Sequence, residues 1–326
     1  MKQLHWQPSA DINTLKRRAQ LLADVRRFFA RRQVLEVETP ILSHAAPSAP
    51  YLDSFSTDYQ PAASAEETCY LHTSPEFAMK RLLAAGSGDI YQIARVFRNG
   101  EKGRLHSPEF TMLEWYRPQL DYHALMSEVD DLLQQVAATA PAQKISYSEL
   151  FKHYLHCEVH QLQEQQLKQL AFESIPSLPA DWQTDHDGWL ELLMSEVIEP
   201  QLAKLQHPVI VYDFPASQAQ LAKLHRADNG EQVAARFELY AGGVELANGY
   251  DECLDAAELK QRFELDNQKR ALQGKAVVPV DQHLLAALQA GLPVCTGVAL
   301  GLDRLMLLLT GANQLAEVLS FDFERC

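Results

Sequence analysis

The sequence has 326 residues and carries 29 Lys and Arg against 43 Asp and Glu, a formal net charge of −14. Affinity for phosphate backbones comes largely from neutralising basic side chains, so this balance argues against nucleic acid as the main partner. With 47% hydrophobic and 22% charged residues the chain can bury a large core, which excludes disorder as its overall state.

The length alone would allow about two domains of roughly 150 residues each, although enzyme cores of this size also form one. The expectation here is a single catalytic domain over 1–326. Five cysteines, Cys69, Cys157, Cys253, Cys295 and Cys326, are scattered without any C-x-x-C pair, as expected of free thiols in a reducing compartment. The opening MKQLHWQPSADIN has no apolar core of a leader, and no apolar run approaches the roughly 20 residues that span a bilayer. The expected location is the cytoplasm, with no membrane partner.

In chain order, Leu15, Ala19, Leu22, Val25 and Phe29 recur at steps of three and four and predict an amphipathic helix over 13–32. Val34 to Pro40 alternates as a strand that proline ends, which suits a sheet edge or a subunit contact. A loop rich in Ala, Pro and Ser follows over 44–50, then a strand over 70–73. Ser74 and Pro75 read as the N-cap and first position of a helix reaching about Ala85. Two strands, 90–97 and 109–116, flank a polar loop and are expected to pair antiparallel. Leu125, Val129, Leu132 and Val136 mark another helix.

Residues from about 141 to 207 are polar and Gln-rich, with helical patches, and read as a helical insertion with little chemistry in it. His153, His156 and His160 fall on one helical face there. A polar exposed face explains them better than a metal site, because no cysteine or acidic cluster completes a coordination set. Val209 to Phe214 is a buried strand, and Ala241-Gly242-Gly243 between 236–240 and 244–247 signals a tight hairpin. Asp255 opens a helix to about Gln273, and a strand over 294–300 turns at Gly301 into the apolar helix 302–309. Antiparallel hairpins interspersed with helices predict an α+β fold around an antiparallel sheet rather than a doubly wound one. Neither a G-x-x-x-x-G-K-[ST] loop nor a G-x-G-x-x-G turn is present, so nucleotide binding by those routes is not expected.

Three segments place charge where a fold prefers apolar residues. Arg98 ends an apolar strand and is placed to clamp an anion. Glu114 shares a strand face with Phe110, Met112 and Tyr116, which is costly unless the carboxylate meets a cation. Glu238 and Glu245 lie on opposite arms of the hairpin, a pairing that can bridge Mg²⁺ and phosphates, although solvent-facing glutamates are the commoner outcome. Arg304 stands in the first turn of an apolar helix, where the dipole disfavours a cation and a bound anion or stacked base accounts for it better than packing.

F-R-x at 97–99, the acidic hairpin ending E-L-A-N-G, and G-L-D-R at 301–304 closely resemble motifs 2 and 3 of class II aminoacyl-tRNA synthetases. The strand ending at Pro40 resembles motif 1, which in that family lies at a dimer interface, so a homodimer is implied. T-S-P-E-F (73–77), H-S-P-E-F-T-M-L-E-W-Y (106–116) and E-L-A-N-G-Y-D-E (245–252) resemble the lysine-type members. The likeness runs from about 13 to 323 apart from the insertion.

The resemblance implies roles. Arg98 would hold the ATP α-phosphate and the amino-acid carboxylate, and Phe110 and Arg304 would sandwich the adenine, with His106 near the phosphates. Asn99, Gly100, Ser107, Leu246 and Gly301 would line the ATP site, while Glu238 and Glu245 would carry Mg²⁺. Glu76, beside Ser74 and Pro75, would take the substrate α-amine and Asn248 its carboxylate. Glu114, Tyr116 and Glu252 would surround the side-chain ammonium, with Tyr250 and Ala299 also lining that pocket. Two carboxylates and a phenol would replace the water lost by a buried ammonium, and substrates lacking it would leave them unpaired.

Lysyl-tRNA synthetases carry an additional amino-terminal OB-fold that reads the anticodon, whereas motif 1 here begins near residue 20, so that module is not expected. Shortened proteins with this motif set are the elongation factor P lysyltransferases, and E-V-D-D-L-L-Q-Q (128–135) and A-S-Q-A (216–219) resemble that family in particular. The implied reaction activates (R)-β-lysine, or less well lysine, with ATP and passes it to a lysine of elongation factor P, with no tRNA partner. A stand-alone lysyl-tRNA synthetase core and a non-catalytic adenylate or amino-acid sensor are the competing readings. Retention of Arg98, Arg304, Glu238 and Glu245 argues against the sensor. Two departures stand out: Ala299 occupies a usual glycine position, and Gly100 stands where motif 2 has its glutamate, with Glu101 following, so that either Glu101 or a backbone group takes that contact or the contact is lost. Docking an acidic enzyme on a protein partner calls for a local basic patch, for which Lys80, Arg81, Lys102 and Arg104 are the candidates.

Overall fold

A computed structural model describes residues 6–62, 66–227 and 229–326. The first five residues of the stretch inspected for a leader lie outside these. The chain forms two compact units. One comprises the described residues up to Asp121 together with Cys253–Cys326, and the other comprises Tyr122–Glu252.

In the first unit the strands Leu35–Glu36, Ile90–Phe97, Glu109–Pro118 and Cys295–Gly301 lie side by side in that order. The first pair is parallel and the other two are antiparallel. Period-two alternation gives this sheet two unlike faces. One face carries Tyr91, Leu113, Trp115 and Leu300, all buried, and the Ile12–Arg31 helix covers it. Phe29 of that helix stacks on Tyr91 with ring centroids 4.3 Å apart and meets Trp115 edge-on at 5.4 Å. The opposite face carries Phe110, Met112, Glu114 and Tyr116, as the alternation of charged and apolar residues predicts. Gly301, Ala299 and Gly297 lie across from Met112, Glu114 and Tyr116. A small antiparallel sheet, Leu42–Ser43, Glu67–Leu71 and Ser56–Tyr59, and the helices Glu76–Ala84, Ala256–Leu272, Gln282–Gly291 and Leu302–Thr310 complete the unit.

The strand expected over 34–40 is only Leu35–Glu36. Among the described residues it pairs with Ile90–Phe97 alone, and beyond Val37 the Thr39 hydroxyl bonds the Gln92 side chain at 3.0 Å instead of a ladder group. Pro40, with no N–H, cannot resume the ladder. Ser74 also differs from its expected place. Pro75 holds the N-cap position, although the Ser74 hydroxyl still accepts from the Glu76 N–H at 3.1 Å.

In the second unit Val244–Asp251, Gln232–Ala241, Val209–Pro215 and Gln143–Ser146 form a sheet whose last pair is parallel, with Leu224–Arg226 also paired to Gln232–Ala241. The predicted hairpin turn is Gly242-Gly243, and both residues have positive φ (59° and 77°), as a type I′ turn requires. The polar stretch 141–207 is more than a run of helices. It begins with the Gln143–Ser146 edge strand, and its helices Tyr147–Leu155, Glu164–Ser174 and His186–Leu193 bury Phe151, Leu167 and Trp189 completely. Its three histidines do not share a helix face. His156 ends the Tyr147–Leu155 helix in the left-handed region at φ 55°, and His160 sits in the separate turn Val159–Gln161. Among the described residues no helix is long and apolar enough to cross a membrane.

Gly243 tests the hairpin. A Cβ there would lie 2.7 Å from the Ala203 Cβ in addition to adopting a positive φ, whereas at Gly274 (φ 71°) nothing lies within 4 Å. Gly274→Ala should therefore cost about 1 kcal/mol in urea unfolding and Gly243→Ala about 2–3 kcal/mol. Equal costs would contradict the close approach at Ala203.

Candidate functional site

The first unit gathers most of the expected site residues on and beside the open face of its sheet. Arg98 follows the last residue of the Ile90–Phe97 strand and places its guanidinium 5.1 Å from the Phe110 ring centroid. Its Nε is buried and makes no hydrogen bond within the described residues. Its Nη1 lies 3.7 Å from the Glu101 carboxylate. Gly100 adopts φ 84°, a conformation that glutamate takes only under strain, so the acidic group one position later, at Glu101, is the one that reaches Arg98. The loop is anchored through its backbone: the Arg98 N–H donates to the Pro108 carbonyl and the Asn99 N–H to the Asp53 carbonyl at 2.7 Å. Ser107 is buried where the loop rejoins the sheet.

Arg304, at the third position of its helix, bonds His106 Nε2 at 2.9 Å and the Leu105 carbonyl at 3.3 Å. Two residues expected at the nucleotide are thus in direct contact. Gly301 lies beside the Arg304 stem, where a Cβ would make an ordinary contact at 3.7 Å. Glu114 is 2% exposed and accepts from the Tyr116 hydroxyl at 2.7 Å, so the expected carboxylate and phenol are already joined. Ala299 is the direct cross-strand partner of Glu114, which puts its methyl group in the same row. Glu76 accepts from the Lys80 ammonium at 2.6 Å. Lys80 is fully buried, which removes it from the expected basic docking patch, and Lys102 is paired with Glu324.

The second unit places its share along the hairpin. Glu238 lies across from Asn248, and Arg236 across from Tyr250. Strict alternation from Asn248 would turn Glu245 to the other face. A bulge beside Leu239 shifts the register so that Glu245 lies across from Tyr240, on the face of Glu238. Leu246 is buried in the bulged stretch. Arg236, which sequence reasoning passed over, organises this face. It donates to Glu238, to the Asn248 carbonyl oxygen at 3.3 Å and to the Gln218 backbone carbonyl at 3.1 Å, and its guanidinium lies 4.5 Å from the Phe214 ring centroid. Tyr240 donates to the other Glu238 oxygen, and Tyr250 donates to Gln220. Burial pushes the Glu238 carboxyl up, Arg236 opposes this, and the like charge of Glu245 adds to it, with a net upward shift. Glu252 is 1% exposed and forms a β-bridge with Ala222. The one sequence signal for Arg236 was a cation two residues before Glu238 in a strand otherwise destined for burial.

In the first unit an arginine on an aromatic ring and an arginine at a helix start suit an anion and a stacked base, and in the second unit a hairpin of carboxylates suits a cation. The family model for class II tRNA synthetases (D, K and N) matches residues 3–325, and the chain belongs to that family. It is an enzyme of that ligase class. The chain is 50% identical over 321 residues, 98% of each chain, to proteins of Salmonella arizonae, Salmonella paratyphi B and Salmonella schwarzengrund, each named elongation factor P–(R)-beta-lysine ligase.

Removing Arg236 leaves a buried carboxylate without its cation. Arg236→Met should destabilise the protein by about 3 kcal/mol, and adding Glu238→Gln should recover most of that loss, as unfolding titrations of both variants would show. A double variant no more stable than the single one would contradict the pairing.

Proposed function

We propose that the protein activates (R)-β-lysine with ATP and transfers it to the ε-amine of a lysine on elongation factor P, acting in the cytoplasm as a homodimer. The full-length likeness to ligases bearing that substrate and acceptor in their name carries this reading. The geometry that suits it best is Arg98, whose buried Nε has no hydrogen bond within the described residues and which stands against an aromatic ring.

In the first step a carboxylate oxygen of the amino acid attacks the α-phosphorus in line and pyrophosphate leaves. Arg98 offsets the negative charge of both reactants, which would otherwise repel, and holds them at reacting distance. Phe110 and Arg304 receive the adenine, with Asn99, Gly100, Ser107 and Gly301 alongside and His106 toward the phosphates. By likeness to the lysine-type members, Glu114, Tyr116 and Glu252 are each assigned to the side-chain ammonium, and Ala299 and Tyr250 to lysine recognition. Ser74, Pro75 and Glu76 are assigned to the amine, and Asn248 to the carboxylate. In the second step the acceptor amine attacks the activated carbonyl, the bond to AMP breaks, and an amide forms with loss of a proton from the amine. No enzyme nucleophile is needed.

Glu238 and Glu245 fit Mg²⁺, since they share a face and the charge of Glu245 adds to the cost of ionising Glu238. Mg²⁺ is commonly held by one or two carboxylates together with substrate phosphates, and it would neutralise the departing pyrophosphate charge. Leu246 lies between these acids and Asn248 in the chain.

ATP–pyrophosphate exchange tests the first step. It should depend on β-lysine, and Arg98→Ala should lower it on the order of 100-fold or more. Ala299→Gly removes the methyl beside Glu114 and should shift exchange toward α-lysine. Exchange indifferent to the amino acid, or an unchanged α-to-β ratio in Ala299→Gly, would contradict the respective assignments.

A further inference from the structure

The back of the first unit's sheet holds a charged network that none of the roles above uses. Asp303, 2% exposed, lies in the first turn of the Leu302–Thr310 helix, immediately before Arg304. The ladder between Glu109–Pro118 and Cys295–Gly301 ends at the rung joining Met112 to Gly301. The next N–H, that of Thr111, donates to Asp303 Oδ2 at 2.8 Å. The other Asp303 oxygen accepts from Nη1 of Arg18, and Arg18 Nη2 donates to the Thr111 hydroxyl at 2.7 Å. Arg95 Nη1 donates to the same hydroxyl at 2.9 Å. Arg18 comes from the middle of the Ile12–Arg31 helix, 285 residues from Asp303 in sequence.

Two members of this network, Thr111 and Asp303, are each one residue away from a residue assigned to the adenine. Thr111 follows Phe110, and Asp303 precedes Arg304. By alternation Phe110 and Thr111 point to opposite faces of the strand, so a clamp on Thr111 fixes Phe110 from behind. A carboxylate that ties the end of a strand to the first turn of the next helix fixes the spacing between Phe110 and Arg304. The bonds to Asp303 are charge-assisted and two-pronged, which gives them direction as well as strength.

We infer that Arg18 is a positioning residue for ATP: with Asp303 and Thr111 it holds Phe110 and Arg304 at the separation that accepts an adenine ring, without touching the nucleotide. The inference rests on the reading that Phe110 and Arg304 bind adenine.

The test is ATP–pyrophosphate exchange with Arg18→Met, Thr111→Val and Phe110→Ala in the full chain, scored for the KM of each substrate and for kcat. Arg18→Met should raise the KM for ATP about tenfold and leave kcat and the amino-acid KM within about twofold, because misplacement by a fraction of an ångström weakens one subsite only. Thr111→Val keeps the N–H to Asp303 and loses the hydroxyl, so it should give a smaller rise in the same direction. It also serves if Arg18→Met does not fold. A merely structural brace would lower the unfolding temperature and the amount of active enzyme while leaving the KM for ATP unchanged. That result, alongside a raised KM in Phe110→Ala, would overturn the inference and leave the adenine reading intact. An unchanged KM for ATP in Phe110→Ala as well would overturn both.

Discussion

Side chains on a strand point alternately to its two faces, and the Glu109–Pro118 strand puts that alternation to two uses. Leu113 and Trp115 are buried, Trp115 against Phe29 of the amino-terminal helix, while Phe110, Glu114 and Tyr116 stand on the other side. The apolar half anchors the strand firmly enough for the other half to carry a carboxylate at 2% exposure. Burying Glu114 has a cost that only a hydrogen-bonded or cationic partner offsets, and the Tyr116 hydroxyl supplies the first such contact. A one-residue slip of this strand would exchange the two sets and lose both core and site.

The second unit meets the same cost differently. On its hairpin face the cation is built in: Arg236 neutralises Glu238 and steadies Asn248, and the bulge beside Leu239 brings Glu245 round to join them. Two like charges held close favour whatever cation can be shared between them, which is the physical basis for assigning Mg²⁺ there. In the first unit Arg98 and Arg304 are the groups suited to anions. Such cations offset the repulsion when an anionic carboxylate must approach an anionic phosphate.

The elements that strict periodicity or a turn signal governs could be read directly from the sequence: the amino-terminal helix, the paired strands around the 98–106 loop, the Gly242-Gly243 hairpin and the Gly301 turn into the last long helix. Short polar elements were not legible in this way. The strand expected over 34–40 keeps two residues because Thr39 bonds the Gln92 side chain and Pro40 has no N–H to resume the ladder, and the Gln143–Ser146 strand is polar because it lies at an edge of the described sheet. Residues 141–207 read as a polar, Gln-rich insertion with helical patches, and Phe151, Leu167 and Trp189 build a core there. The site's charged residues were legible one at a time through motif likeness. Their partners were not, since Arg18 with Asp303 and Lys80 with Glu76 depend on long-range packing or on a buried helix face that spacing alone does not reveal. Gly100 shows the converse case, in which a backbone conformation explains why the acidic residue stands one position later.

Under the proposed function a synthetase-type site serves a protein acceptor. The most direct measurement offers the enzyme ATP, Mg²⁺ and labelled (R)-β-lysine together with elongation factor P and lysine tRNA in one reaction, and then separates protein from RNA. Label on the protein, lost when its acceptor lysine is replaced, is the predicted result. Label on the tRNA, with the protein unmodified, would contradict the account and make this chain a tRNA-charging enzyme.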